Sequence, residues 1–331
     1  MRRTVFVVGA GASSEFRLPL GTSLAEAIRI SLDKDFGRDN RQDGTVAHAL
    51  MLGVLRGEDI EGARDLRGTL LNSPSIDHAL NTRRDRPSVV RVGKVAIADQ
   101  ISLGEKGSPL PNGFTNDRHL IHDCLAGSRH TWLAKLLRLI LADRQPEEYV
   151  DAFDDVSFVV FNYDRCIEQY LFYAMREIGN LSTQQAQAII REIPIVHVYG
   201  SLGLPACLGG QPYTDFGEND AHAVAAMSAG IKTYKEGADN GTLNAVREMV
   251  AAAEQVVFLG FGFDPTNVEV LYPDGGFSGQ LVTGTMKVPR QVDTAFNEKL
   301  FGNRPPLGTY AFQEVNCAEY IETFGAGLTA D

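Results

Sequence analysis

Along the chain, short uninterrupted apolar runs alternate with stretches in which apolar residues recur every three or four positions. The first run, Thr4 to Val8, is β-branched and aromatic, the pattern of a strand covered on both faces within a parallel sheet. Gly9 ends it. Ser23-Leu24-Ala25-Glu26 then fits a capping box, and Leu24, Ala27, Ile28 and Leu32 follow at helical spacing. Three further runs, Val156 to Phe161, Ile195 to Tyr199 and Val256 to Gly260, carry the same buried-strand signal, and Gln280 to Thr283 and Thr309 to Phe312 are shorter candidates. A helix through Ile167, Tyr170, Leu171 and Met175 follows the second strand.

From Gly44 to Tyr149 the pattern changes. Helices are predicted over Ala47 to Leu55, Ile60 to Leu71, Ser75 to Leu80 and Trp132 to Leu141; Val89 to Val95 alone resembles a strand, and Gly104 to Asn116 reads as a loop. The elements together predict an α/β fold: an open, mostly parallel sheet built from residues 1–40 and 150–331, interrupted by a mainly helical insertion over 41–149. Such sheets bind ligands beyond the carboxyl ends of their strands. The glycine-rich and polar clusters of this sequence fall at those ends.

Composition narrows the functional classes. With 31 Lys and Arg against 42 Asp and Glu in 331 residues the formal net charge is −11, and no basic run is dense enough to follow a phosphate backbone. Direct nucleic-acid binding is not expected, and an anionic ligand would have to be held by local backbone amides. Cys124, Cys166, Cys207 and Cys317 are scattered with no C-x-x-C pair, which fits a reducing cytoplasm. No apolar run approaches the roughly 20 residues of a membrane span. Arg2, Arg3 and the run to Ala12 mimic a signal peptide, but the run is short, Glu15 and Arg17 follow at once, and cleavage would remove the first predicted strand.

Several strand ends carry candidate chemistry. Gly9-Ala10-Gly11-Ala12-Ser13-Ser14 is a G-x-G turn able to approach a diphosphate closely, or a tight strand-to-helix turn and no more; Ser14 occupies the third glycine position of the dinucleotide fingerprint. Asn162 and Asp164 stand where an amide and a carboxylate could fix a ribose and a carboxamide, with Asp164 alternatively capping the next helix. His197 and Tyr199 lie two apart on one predicted strand, hence on one face, beside Gly200 and Ser201. Gly260-Phe261-Gly262 offers a second permissive turn, and Asn267 opens the helix after it. His119, His122, Cys124 and His130 invite a zinc reading, but their spacing matches no zinc signature and a polar helix face explains them, so no metal is expected.

The ordered set of GAGAS, Ser75-Ile76-Asp77, FNYD, VHVYGS and LGFGFDPTN resembles the sirtuin-like NAD+-hydrolysing domains of bacterial anti-phage defence systems. Fainter likeness extends to Val282-Thr283-Gly284-Thr285 and the segment from Cys317 to Phe324. The resemblance implies a Rossmann-like fold with NAD+, as substrate, lying across the strand ends. Gly9, Ala10, Gly11 and Ser13 would line its diphosphate, and Asn162 with Asp164 would hold the nicotinamide ribose and carboxamide. Tyr199, Gly200, Ser201, Gly260, Gly262 and Asn267 would complete the pocket. In that family a histidine usually precedes the glycine of the third motif; here the position is Tyr199, and the nearest histidine is His197. His197 is thus the candidate third catalytic residue beside Asn162 and Asp164. The two C-x-x-C pairs of sirtuin deacylases are missing, which favours NAD+ hydrolysis over deacylation. The resemblance also implies a gated effector: a homo-oligomer, or a chain controlled by a partner ATPase or helicase or by a short Argonaute-like protein.

Two other classes compete. A non-catalytic sensor of NAD+ or ADP-ribose fits Tyr199 at the histidine position. An ordinary Rossmann oxidoreductase is disfavoured by Ser14 and by the want of a strand carrying an acidic residue about 20 positions further on, since Asp33 and Asp35 fall at a predicted helix end.

Overall fold

The computed structural model describes residues 2–36, 44–51, 53–209, 213–233, 236, 240–273, 281–286 and 310–329. Six strands, β1 (Thr4–Val8), β2 (Val156–Val160), β3 (Ile195–His197), β4 (Gln255–Leu259), β5 (Leu281–Thr285) and β6 (Tyr310–Gln313), form one sheet in the order β3-β2-β1-β4-β5-β6. Every pairing is parallel. The chain builds outward from β1 to β3, then returns to the other side of β1 to lay down β4 to β6. This is an open, doubly wound α/β sheet of Rossmann type, with its switch point between β1 and β4.

β1 is the centre, paired from Thr4↔Val156 to Val8↔Val160 on one side and from Thr4↔Gln255 to Val8↔Leu259 on the other. Helices cover both faces, so all five of its residues are buried, which is why its sequence is continuously apolar rather than alternating. Phe6 stacks on Phe158 of the neighbouring strand with ring centroids 5.5 Å apart. A two-residue ladder, Leu204–Pro205 with Tyr213–Thr214, lies outside the sheet.

The helical layer departs from expectation in two places. The helix predicted to be capped by Ser23 is Gly21–Phe36; it begins a turn earlier, with the Leu24 amide on the Leu20 carbonyl, and the Ser23 hydroxyl donates to that same carbonyl instead of capping. Val89 to Val95 is not a strand but part of the 20-residue helix Pro87–Lys106. Its valines are β-formers by propensity, yet Val89, Val92 and Ala96 repeat at helical spacing and all are buried, and Pro87 suits a first turn. That helix also takes in the start of the predicted loop at Gly104. The helices predicted from Ala47, Ile60, Ser75 and Trp132 are Thr45–Met51, Asp59–Leu70, Ile76–Thr82 and Trp132–Ile140. Gln280, Thr309 and residues 37–43 at the predicted domain boundary lie outside the described residues.

The helices of 41–149 pack into the rest of the protein at several points. Asp59–Leu70, Ile76–Thr82 and Pro87–Lys106 meet Gly21–Phe36, Arg118–Ser128 meets Cys166–Ile178, and Trp132–Ile140 meets Cys317–Phe324. A single buried apolar cluster runs through both. Among the described residues no helix is long and apolar enough to cross a membrane.

One ion pair ties the long helix to the sheet. Glu105 on Pro87–Lys106 and Arg165, which precedes the helix Cys166–Ile178, both have fully buried side chains. Arg165 donates from Nη2 to Glu105 Oε2 at 2.6 Å and from Nε to Oε1 at 3.1 Å, and from Nη1 and Nη2 to the Thr214 and Asp215 carbonyls. The backbone amides of Arg165 and Gly217 complete the carboxylate's shell. Burial presses Arg165 toward neutrality, but the adjacent carboxylate outweighs it and holds the guanidinium charged. Removing one partner leaves the other as an unpaired buried charge, a cost of about 3–5 kcal/mol. Arg165→Met and Glu105→Gln should each lower stability by that order in chemical denaturation; a loss below about 1 kcal/mol in both would show that the pair does not hold the two layers together.

Candidate functional site

The site is built from turns that leave the carboxyl ends of β1, β2 and β4. The turn after β1 runs from Gly9 into the four-residue helix Ala10–Ser13. The turn after β4 begins at Gly260, whose φ of 58° is left-handed. These two turns touch. A Cβ on Gly9 would stand 2.6 Å from the Gly260 oxygen, one on Gly11 2.7 Å from the Gly260 Cα, and one on Gly260 2.1 Å from the Ala12 nitrogen. The Gly11 amide donates to the Gly260 carbonyl at 2.9 Å, and the Ala12 amide to the Gly9 carbonyl at 3.0 Å. The glycines therefore serve the crossing of two backbones, and two of the amides expected to receive a diphosphate, those of Gly9 and Gly11, are used within the protein on the Leu259 and Gly260 carbonyls. Ser14, at the third glycine position, turns its hydroxyl back to the Gly11 carbonyl.

Ser13 ends the short helix against the turn after β2. Asn162 Nδ2 donates to Ser13 Oγ at 2.7 Å, and the Ser13 hydroxyl is near enough to Asp164 to favour its charged form. All three side chains are buried. Burial raises the proton affinity of the Asp164 carboxyl, and Ser13 and the Cys166 amide only partly offset it. Asp164 Oδ1 accepts from that amide at 3.2 Å, so it satisfies a free N–H at the start of the helix Cys166–Ile178, although Arg165 and not Asp164 stands at the cap position.

His197 sits beside this cluster with both ring nitrogens engaged inside the protein: Nδ1 lies 2.8 Å from the Asn162 carbonyl oxygen and Nε2 lies 3.0 Å from Glu168 Oε1. As placed, the ring is not turned toward a ligand. Tyr199 does not share its face either. β3 ends at His197, Val198 and Tyr199 form a turn, and the period of two that put them together no longer applies. The Tyr199 hydroxyl instead donates to Asn267 Oδ1 at 2.6 Å, on the helix Pro265–Leu271 beyond β4. Gly200, at φ 72°, lies so near the Gly230 carbonyl that a Cβ would be 1.9 Å from its oxygen, and the Ser201 hydroxyl accepts from the Gly203 amide. These two order the turn itself.

Two neighbours were not singled out as site residues from the sequence. Asp77, on the helix Ile76–Thr82, accepts a hydrogen bond from the Tyr163 hydroxyl at 2.8 Å. Asp77 retains accessible surface although protein surrounds it densely. That crowding raises its carboxyl above the ordinary range, with Asp264 adding to the effect. Tyr163 is raised well above the ordinary phenol range by burial and then by Asp77. Glu168 is the second. It stands one helical turn after Asp164, a spacing that could have drawn attention to it.

Gly262 differs from the other glycines of these turns, since a Cβ there would meet nothing within 4 Å. It borders open space above the strand ends. A cavity of about 420 Å³ lies elsewhere, between Gly21–Phe36, Pro87–Lys106 and Ala221–Gly230, lined by Ser31, Lys34, Asp99 and Asn219. The site is placed at the strand ends despite that cavity, because the polar cluster and the switch point coincide there. In the histidine-rich segment His122 faces Glu177 and His130 accepts from Arg129, and no group of three metal-capable side chains occurs among the described residues.

The fold and site thus define a Rossmann-type α/β protein with a buried Ser-Asn-Asp cluster at its switch point. No family model, curated protein or solved structure matches the chain. Gly260→Ala should force the two turns apart and lower stability by about 1–3 kcal/mol, while Gly262→Ala should leave the melting temperature unchanged. Equal melting temperatures for the two variants would show that the turns do not depend on their close crossing.

Proposed function

We propose that the protein is an NAD+ glycohydrolase that cleaves the bond between nicotinamide and ribose. The observation that carries the reading is the buried hydrogen bond from Asn162 to Ser13, with Asp164 beside it, at the switch point of the sheet. It brings together residues 149 positions apart, from the motif that the family resemblance assigns to the diphosphate and from the one it assigns to the nicotinamide riboside.

Nicotinamide leaves as a neutral molecule. The C1′–N bond breaks with its electron pair passing to the pyridinium nitrogen, a water oxygen bonds to C1′, and the water releases a proton. Such an oxocarbenium-like transition state needs positioning and charge stabilisation more than a strong nucleophile. Asn162 supplies an amide to orient the carboxamide, and Asp164 a carboxylate near the ribose. Asp77, accessible and with raised proton affinity, is the acceptor available for the proton. The products are nicotinamide and ADP-ribose. Unrestrained activity would exhaust the cell's NAD+, so the reading includes control by self-assembly or by a partner protein, in keeping with an effector of anti-phage defence.

A non-catalytic sensor of NAD+ or ADP-ribose is the second reading, favoured by Tyr199 at the histidine position and by the internal engagement of both His197 nitrogens. Mass spectrometry of NAD+ incubated with the purified protein over a concentration series separates the two. Nicotinamide and ADP-ribose should appear with the parent protein, more steeply than in proportion to its concentration, and Asn162→Ala should reduce release at least about 100-fold with the fold intact. Binding of NAD+ without turnover at any concentration would replace the hydrolase by the sensor. Turnover strictly proportional to concentration would remove assembly as the control.

A further inference from the structure

The contacts of His197 fix more than its orientation. The Asn162 carbonyl oxygen can only accept, so at 2.8 Å Nδ1 must carry a proton and donate it. Nε2 then faces Glu168 Oε1 at 3.0 Å, and two lone pairs cannot sit at that distance without a proton between them. The histidine and the carboxylate together therefore hold one proton more than a neutral imidazole beside a carboxylate would. We infer that His197 is a positioning residue: its ring, protonated at both nitrogens, clamps the Asn162 carbonyl to Glu168 and so holds the Asn162 amide against Ser13. This deepens the glycohydrolase reading, and rests on it where turnover is concerned.

The groups around the clamp agree with that assignment. On the histidine, burial works against the charge, but Glu168, the Asn162 carbonyl and Asp164 outweigh it and raise its proton affinity above the ordinary value of 6.5. On Glu168, burial is likewise the largest influence and is overcome by His197 and Arg165, so the carboxyl falls below its ordinary 4.5. Cys207 also lies in this field, and its thiol, pushed up by burial and by Glu168, stays neutral. Glu168 Oε2 is buried without a partner, so His197 is the side chain that satisfies this carboxylate.

The pH dependence follows with its sign. Because His197 is raised, its contribution is fully present below pH 6.5 and is lost as pH climbs through its folded value. Because Glu168 is lowered, its contribution is present above pH 4.5 and is lost as pH falls through its folded value. Loss of the shared proton on the alkaline side sets Nε2 against Oε1 and frees the Asn162 turn.

Imidazole resonances of the full chain, followed against pH by NMR, test the clamp, with the His197 signal identified by its absence in His197→Gln. The clamp requires a midpoint above 6.5 in the parent protein, and a lower midpoint in Glu168→Gln, where burial persists and the carboxylate is gone. Nicotinamide release should fall about tenfold per pH unit above the parent midpoint, and Glu168→Gln should move that limb to lower pH by the same interval. A His197 midpoint at or below 6.5, or one unmoved in Glu168→Gln, overturns the clamp whether or not NAD+ is cleaved. If the midpoints behave as required but the parent protein never cleaves NAD+, the clamp stands and the enzymatic reading fails.

Discussion

The arrangement of the strand ends depends on two backbones crossing at van der Waals limits. β1 and β4 run side by side and in register up to Val8↔Leu259, so their turns leave the sheet at the same height and compete for the same space. Glycines at 9, 11 and 260 resolve the conflict, and the Gly11 amide bonded to the Gly260 carbonyl locks the result. That lock decides where the short helix Ala10–Ser13 begins, and hence where Ser13 ends up. From the other side, the Phe161 amide bonds the Val8 carbonyl and carries the β1–β2 ladder one residue beyond β2, which delivers Asn162 at the level of Ser13. The polar cluster is thus a consequence of sheet register as much as of its own hydrogen bonds.

Charged groups hold the helices around these turns. Glu15 receives the Trp132 amide at 2.7 Å and the Ala318 amide at 2.8 Å, so one carboxylate meets the amino ends of two helices that come from distant parts of the chain. Its proton affinity is raised by burial despite those donors. The Trp132 indole adds a bond to the Ala12 carbonyl, so the second half of the glycine-rich segment is a structural hub. The turn after β2 is gripped from the helical layer twice over, by Glu105 on Arg165 and by Asp77 on Tyr163. An intervening segment of about a hundred residues so sets the position of the very turn that bears Asn162.

Much of the sheet was legible in the sequence because parallel strands buried on both faces leave short continuous apolar runs, as in Thr4–Val8 and Gln255–Leu259. The strand ends were overestimated at Phe161, Tyr199 and Gly260, since an apolar residue in a packed turn looks like one more strand position. Val89 to Val95 misled through β-propensity where burial at helical spacing decided. Of the candidate site, Asn162 bonds Ser13 with Asp164 close by, and Tyr199 meets Asn267 across the strand ends. The contacts of Glu105 with Arg165, of Glu168 with His197 and of Asp77 with Tyr163 were not legible, because each joins segments apart in sequence whose residue types alone mark no partner.

His197 and Tyr199 show how a one-dimensional pattern fails at a strand end. Two residues apart on a strand they would share a face, yet β3 is a three-residue edge strand and the hydrogen bond from the Gly200 amide to the His197 carbonyl turns the chain immediately after it. The histidine is therefore drawn back over the turn after β2, and the tyrosine is thrown forward toward the helix after β4. A ring that spends both nitrogens on the Asn162 carbonyl and Glu168 can steady an amide but has no lone pair for a water. The Tyr199 phenol instead donates to Asn267, on the helix after β4. In the proposed hydrolysis, proton transfer would fall to a carboxylate, and Asp77 is both accessible and raised in proton affinity.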